Sequence, residues 1–503
     1  MNFMGKRIWF WLSGLTLFFF LLSGCQSHPP DITIPITAEN TSVFLPLLFK
    51  EQAVISTPLP PAAAPTSIVP LIHVPYKNVT DYTQEAFTEM AVFWFGKVTA
   101  NENYSDVRIG YTETHLSIYI ANFDRLLWYD TTPSAAEIPD WDSVALYLLP
   151  ANTVTLQTNQ TFRLSASLAP NEVNRNLYQS AARWDGSQWA TENITFATVS
   201  GWRGDGINTA DDDNGWNIKF SIPFQSLNLT GKPVDGTIWR MGIMVYDRDY
   251  LTGKTFAPKT WPPSFSPDSP AQWGNLSFRF PISTPKNGTE EGKLTIVEGQ
   301  NGIIVEDASV GGHSTCGDGT NFWTEWGERV TASPENQTLV IQNQRDIADW
   351  PCYSKYYVIF PINGIPQGKT ILSATMTLHQ YGNSGTCGDD IFQPYHSLIQ
   401  VGTTETDWSE ATLNWNNAPI LLENVSRTWV EPLCAFPGWP GVANNWDLTN
   451  AVQKVYSSNQ TDISLAVYSA DGAYHSGKYF STSETPDWNA AGRPRLEIVY
   501  GIP

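Results

Sequence analysis

Along most of the chain apolar residues recur at every second position, in short runs separated by clusters of Gly, Asn, Asp and Pro. Val107, Ile109 and Tyr111 alternate with Arg108 and Gly110. Thr112-Glu113-Thr114 then breaks the run, and Leu116, Ile118 and Ile120 resume it. Successive side chains of a strand point to opposite faces, so this segment predicts a β-hairpin. Val144, Leu146 and Leu148 alternate next, and Trp216, Ile218, Phe220 and Ile222 alternate with Asn217, Lys219 and Ser221 up to a stop at Pro223. The same period returns at Ala374, Met376 and Leu378, at Ile463, Leu465 and Val467, and at Leu496, Ile498 and Tyr500. Short strands at this spacing predict an all-β fold of two antiparallel, jelly-roll-like β-sandwich domains. The expected domains are residues 77–284 and 294–503, joined by a linker at 285–293 where Ser, Thr, Pro, Gly and Glu crowd together. Each is expected to fold independently.

The first 76 residues follow another pattern. Lys6 and Arg7 precede an apolar run from Ile8 to Leu22 that closes on Leu22-Ser23-Gly24-Cys25, the layout of a signal peptide over residues 1–24. The run is short for a membrane span, which needs about 20 residues. A small Ser-Gly pair before a lone cysteine resembles a lipobox, which implies a lipidated Cys25 at the mature N-terminus. Two or more acyl chains suffice for stable anchoring, so the expected location is extracytoplasmic, lipid-anchored to the bacterial membrane or cell surface. Residues 25–76 are rich in Pro, Ser, Thr and Ala, as in Ser56-Thr57-Pro58-Leu59-Pro60-Pro61, and read as a flexible tether. The apolar run from Val43 to Phe49 has no account within that reading.

Charge narrows the partners. The chain carries 29 Lys and Arg against 49 Asp and Glu, a formal net charge of −20. A strongly acidic surface argues against nucleic acid and suits neutral sugars, or calcium held by surplus carboxylates. Cys316, Cys352, Cys387 and Cys434 all lie in the second region. An even, clustered set in an exported chain predicts two disulfides, with all three pairings open.

Three segments of the first region carry a resemblance to family 9-like carbohydrate-binding modules: Asp106 to Tyr111 running on to Tyr119; Trp141 to Leu148; and Gly215 to Phe224, with Trp273-Gly274-Asn275-Leu276 at the close. The second region resembles the DNRLRE domain, related to family 96 carbohydrate-binding modules. It does so through Phe360 to Ile365-Pro366-x-Gly368, Trp408-x-Glu410-x-Thr412-x-x-Trp415, Trp446-Asp447-Leu448-Thr449 and Arg493-Pro494-x-Leu496. The first resemblance implies a jelly-roll-like sandwich, structural calcium and sugar gripping by aromatic rings; the second implies alginate-like polymers as ligands, which the acidic surface of this chain does not suit. The four cysteines and the Trp- and Gly-rich loops depart from the second pattern.

Sugar recognition needs flat apolar rings against pyranose C–H faces together with planar polar groups for hydroxyls. Of the 21 tryptophans, Trp216, Trp408 and Trp415 lie within strand or family motifs and are expected in the core. Trp128, Tyr129, Trp202, Arg203 and Trp261 sit among turn residues of the first region and are its candidate binding platform; Trp323, Trp326, Trp350 and Trp439 are the candidates of the second. Asp205, Asn208, Asp211 and Asp213 form the densest oxygen-ligand run and are the candidate calcium loop, although the spacing does not meet the EF-hand pattern. Asp307 and Asp318 are poorer candidates. His115 and His475 read as surface polar residues.

No G-x-S-x-G elbow, H-E-x-x-H helix or G-x-x-x-x-G-K loop occurs. The expectation is therefore a non-catalytic, membrane-tethered protein that holds a polysaccharide or oligosaccharide, with glycan-degrading enzymes as possible partners, no nucleic acid partner, and no redox or nucleotide cofactor. A structural or adhesive surface protein binding other proteins is the alternative, and a cryptic polysaccharide-degrading enzyme the second.

Overall fold

The computed structural model describes residues 69–503 apart from 84, 135–136, 152–155, 171–172, 251–255, 284, 313–318, 331–337, 345 and 347–350. The signal segment, Cys25, the Val43 to Phe49 run, Cys316, Asp318 and Trp350 lie outside the described residues.

The alternating segments form the strands that their period predicts. The hairpin consists of Glu102–Tyr111 and His115–Phe123, with Val107 opposite Ile120. The Trp216 run lies in Asp213–Pro223, which pairs with the second hairpin strand on one side and with Ala197–Gly204 on the other. With Ala91–Thr99 these make a five-stranded antiparallel sheet. A six-stranded sheet gathers Thr289–Val297, Arg495–Ile502, Thr370–Asn383, Lys478–Ser481 and Thr338–Ile341, with Val442–Asp447 paired to Thr370–Asn383. The fold is all-β, and Thr449–Ser457 is the one α-helix among the described residues. No helix among them is long and apolar enough to cross a membrane.

The third sheet runs through both regions. Its thirteen strands include Ser143–Leu149, Ile238–Tyr246 and Gly274–Phe278 from the first region, and Ser354–Pro361, Ser397–Thr403, Glu423–Val430 and Asp462–Ser469 from the second. Between the two sets lies Leu71–Val74. It pairs parallel with Gly274–Phe278 over four residues, and Leu71 stands opposite Glu423. Asn424 secures the junction by accepting from the His73 backbone N–H at 2.7 Å and donating to the His73 carbonyl at 2.9 Å. Residues 71–74 are thus a strand, inside the segment expected to be tether, and strand structure begins again at Thr289, inside the segment expected to be linker.

Antiparallel strands with alternating apolar and polar residues commonly keep one wet face. The structure has none: nearly every residue of Ala91–Phe95, Asn103–Tyr111 and Leu116–Phe123 is buried, on both faces of the strands. On one face Val107, Ile109, Ile118 and Ile120 share a core with Leu146, Leu148 and Ile243 of the long sheet. The other is covered by the second region, and one apolar core includes Phe93, Trp94 and Tyr104 together with Trp326, Tyr353, Trp415 and Tyr468.

Polar residues caught in that seam are satisfied across it. Arg108 is fully buried. Its Nη1 donates to Asp106 Oδ1 at 3.1 Å, its Nη2 to Asn343 Oδ1 at 2.8 Å and to the Gln344 carbonyl at 3.0 Å, and its Nε to the Ala470 carbonyl at 3.0 Å. Lys355, also fully buried, donates to the Tyr104 hydroxyl at 2.8 Å and lies 3.8 Å from the Trp415 ring centroid and 4.3 Å from that of Trp94. Burial pushes its ammonium well below the usual lysine range, against the pull of Asp106. Aromatic faces attract such a cation where water is excluded. Asn416 and Gln400 add ties to the backbone at Val98 and Met90.

Removing one partner of a buried ion pair leaves an uncompensated charge, at a cost of about 3–5 kcal/mol. Arg108→Ala is therefore expected to lower the unfolding free energy by about that amount, read by calorimetry and denaturant titration.

Candidate functional site

Two groups of side chains stand apart from ordinary packing. The first lies at one edge of the first sandwich, where three aspartates each fall one residue beyond a strand end. Asp124 follows His115–Phe123, Asp142 precedes Ser143–Leu149, and Asp247 follows Ile238–Tyr246. All three are buried, and each offers an oxygen lying within 4.8 Å of the others. Two backbone amides and an indole N–H hold two of the carboxylates in place. Trp128 N–H donates to Asp142 Oδ2 at 2.6 Å and Arg248 N–H to Asp142 Oδ1 at 2.9 Å, while Trp216 Nε1 donates to Asp124 Oδ2 at 3.1 Å. Asp247 Oδ1 is buried and makes no hydrogen bond of normal geometry among the described residues, although the Asn103 side chain lies near enough to favour its charged form. Buried Asp249 adds a fourth carboxylate beside them.

Desolvation dominates the electrostatics of this cluster, and mutual repulsion adds to it. Burial and then Asp142 push the Asp124 carboxyl well above the usual range, and burial and then Asp247 do the same to Asp142. Asp247 is pushed up to about 8 by burial and Asp249, and Asp249 to about 6 by burial. Such carboxyls bind either protons or a cation. An all-oxygen set with this spacing suits a hard divalent ion, since calcium takes oxygens at about 2.3–2.6 Å.

In the acidic loop expected to hold calcium, two of the four candidate residues are bonded to backbone groups. Asp213 accepts from the Gly206 and Leu127 amides, and Asn208, in the left-handed region at φ 61°, accepts from the Tyr129 N–H and donates to the Tyr129 carbonyl. Asp212 pairs with Arg125 at 2.7 Å, and Asp211 is exposed. Among the described residues the carboxylates of Asp205, Asp211 and Asp213 do not come within 4.8 Å of one another as a group of three. Instead Asn208 and Asp213 staple the loop to residues 127–129, beside the aspartate centre. Asp307 is buried and bonded to Tyr356 and Ser483.

The expected aromatic platform of the first region is not an open surface. Trp261 is fully buried, 4.4 Å from the Phe93 ring, and its own ring occupies the space that a Cβ on Gly274 would need. Trp128 is buried, and Tyr129 and Trp202 are half-buried against the core. Arg203 is exposed but paired with Asp346 at 2.8 Å. In the second region Trp323 and Trp326 are buried, Trp326 packing 4.8 Å from Trp415 in the seam between the regions. As expected, Trp216 and Trp415 are buried, and Trp408 is half-buried.

Trp439 is different. It is 48% exposed and belongs to an open aromatic cluster with Phe436, 59% exposed, and Trp488, 68% exposed. Ring centroids lie 5.3 Å from Trp439 to Phe436, 5.4 Å to half-buried Tyr381 and 5.5 Å to Trp488. Three separate pieces of chain build it: the end of strand Thr370–Asn383, the loop after Glu423–Val430, and the short 3-10 turn Asp487–Gly492. A disulfide between Cys387 and Cys434 fastens the second of these to the loop after Tyr381. Closing 47 residues of chain restricts the unfolded state by on the order of 4 kcal/mol. Cys352 is also disulfide-bonded. Gly441, at φ 103°, lets the loop lie against the strand, because a Cβ there would stand 2.6 Å from the Gln380 carbonyl oxygen.

Tyr381, Phe436 and Trp488 were not among the residues expected from sequence, although Phe436-Pro437-Gly438-Trp439-Pro440-Gly441 and Pro486-Asp487-Trp488 both set aromatics between turn formers. Nor were Asp124, Asp142 and Asp247, whose shared signal is an aspartate flanking an alternating run.

Residues 330–499 match the family model of carbohydrate-binding module family 96, as the resemblance of the second region implies. Among solved structures, a family 9 carbohydrate-binding module from Caldicellulosiruptor kristjanssonii in complex with cellotriose is similar to this chain at 15% identity and a TM-score of 0.32, covering 43% of this chain and 99% of that one. A family 9 module from the same organism in complex with glucose is similar at 14% identity and a TM-score of 0.31, over 43% of this chain and 100% of that one. A putative carbohydrate-binding protein from Bacteroides uniformis is similar at 11% identity and a TM-score of 0.31, over 42% and 100%. No curated protein matches the chain.

Proposed function

We propose that this chain is a non-catalytic, surface-tethered saccharide-binding protein whose contact with sugar is the aromatic cluster of Tyr381, Phe436, Trp439 and Trp488. The observation that carries the reading is the exposure of three large rings, packed against one another on loops, where an aromatic face can stack on a sugar ring. The family 96 match over the same region supports it. A lipidated Cys25 and the Pro-rich segment behind it would hold the sandwiches outside the membrane, where captured polysaccharide becomes available to partner glycan-degrading enzymes.

Calcium belongs to the same proposal as a structural ion. Asp124, Asp142 and Asp247 would hold it, with Asp249 close by, and the buried Asp247 oxygen that makes no hydrogen bond of normal geometry among the described residues is the feature that fits. The ion would neutralise carboxylates that repel one another and fix three strand ends together. An ion that binds only the folded state stabilises it by about 2.7 kcal/mol at a hundredfold excess over its Kd. Calcium is accordingly expected to raise the melting temperature of the EDTA-treated protein, with the increment lost in Asp247→Asn; an equal increment in both proteins would remove Asp247 from the site.

On a glycan array the full chain is expected to give discrete positive spots that disappear in Trp439→Ala and Trp488→Ala, while both variants keep the wild-type melting temperature. Spots of unchanged intensity in both variants would place the saccharide contact elsewhere.

A further inference from the structure

The rings of the aromatic cluster do not form a flat strip. Trp439 and Trp488 meet at 82°, Phe436 and Trp439 at 71°, and Tyr381 and Trp439 at 46°. A flat surface, such as the face of a crystalline polysaccharide, can stack on several rings at once only if they are coplanar. Here at most one of the Trp439 and Trp488 rings can lie parallel to such a face, and the other then stands edge-on to it. A single sugar unit fits differently: one ring face stacks beneath it while the second closes against its side. The right-angled pair is a corner for one chain and a poor platform for a crystal.

The charge around the corner narrows the ligand further. The loops that surround it, residues 384–396, 431–441 and 484–492, contain Asp389, Asp390, Glu431, Glu484 and Asp487 and no lysine or arginine. Two cations beside these loops are engaged. Arg493 donates to Asp487 at 2.8 Å and to the Thr485 carbonyl at 2.7 Å, and Lys478 is fully buried against the Tyr395 and Ser476 carbonyls. Arg495 stands opposite Thr377, four residues or about 13 Å of backbone along the strand from Tyr381, and its buried Nε makes no hydrogen bond among the described residues. A ligand carboxylate at the corner would meet five acidic side chains on these loops and no lysine or arginine among their residues.

Building on the saccharide-binding reading, we infer that the corner takes a single, soluble, uncharged glycan chain, and that neither crystalline polysaccharide nor polyuronate is its ligand. The fixed geometry comes from the disulfide-fastened loop and from Gly441 seated on Gln380, so the corner is formed before sugar arrives.

The test uses the purified full-length chain with four probes: affinity gels containing soluble neutral β-glucan or galactomannan, a gel containing alginate, and pull-down on microcrystalline cellulose. Retardation is expected in at least one neutral gel. Trp439→Ala and Trp488→Ala are each expected to weaken it tenfold or more at unchanged melting temperature, and neither alginate nor the crystalline solid should retain the chain. Retention on alginate or on microcrystalline cellulose that both tryptophan variants abolish would overturn this inference while leaving the saccharide-binding reading intact. Absence of retention on every probe would overturn both.

Discussion

The buried seam between the two sandwiches is the constraint on which the rest of the molecule depends. Strand Glu102–Tyr111 sends Asp106 and Arg108 out of the first sandwich on the side where water would ordinarily be, and the second sandwich takes the water's place. Burying a guanidinium there is tolerable only because five acceptors meet it: Asp106, the Asn343 side chain, and the carbonyls of Gln344, Ala470 and Asp471. Lys355 solves the reciprocal problem from the second sandwich, with aromatic faces of both regions around its ammonium. Charge and shape both have to match across the seam, so the pairing of the two regions is specific rather than a loose apolar contact. The strand Leu71–Val74 reinforces it by carrying one sheet from the first region into the second.

On that frame the two distinctive groups of side chains sit at strand ends and on loops, where side chains from distant parts of the sequence converge. The aspartate centre closes one edge of the first sandwich. The aromatic corner projects from the second, held by a covalent cross-link and by a glycine without which the loop could not approach its strand. A rigid scaffold beneath rigid loops lowers the ordering cost of binding a flexible polymer.

Strands were legible in the sequence because a period of two is a local property: the hairpin at 102–123 and the strands containing Trp216, Met376, Leu465 and Ile498 all form where the alternation runs. Which face is wet was not legible, because the same alternation describes a strand facing solvent and one covered by a neighbouring sandwich. Arg108 reads as outward in either case. Trp261 and Trp439 show the same limit for the sites, since each is followed by proline and flanked by turn formers, yet Trp261 fills the space above Gly274 while Trp439 faces water. The aspartate centre draws on residues more than a hundred positions apart, so local acidic density pointed to the 205–213 loop, where Asn208 and Asp213 accept from backbone amides and Asp212 pairs with Arg125.

Native-state hydrogen exchange on the intact chain tests the central claim most directly, by comparing amides of Glu102–Tyr111 with those of Ser354–Pro361. If the seam makes the two sandwiches one cooperative unit, the slowest amides of both strands open with the same free energy, and Arg108→Ala lowers both together. Distinct opening free energies, with one strand unaffected by the substitution, would mean that the sandwiches fold as independent neighbours and would contradict the account.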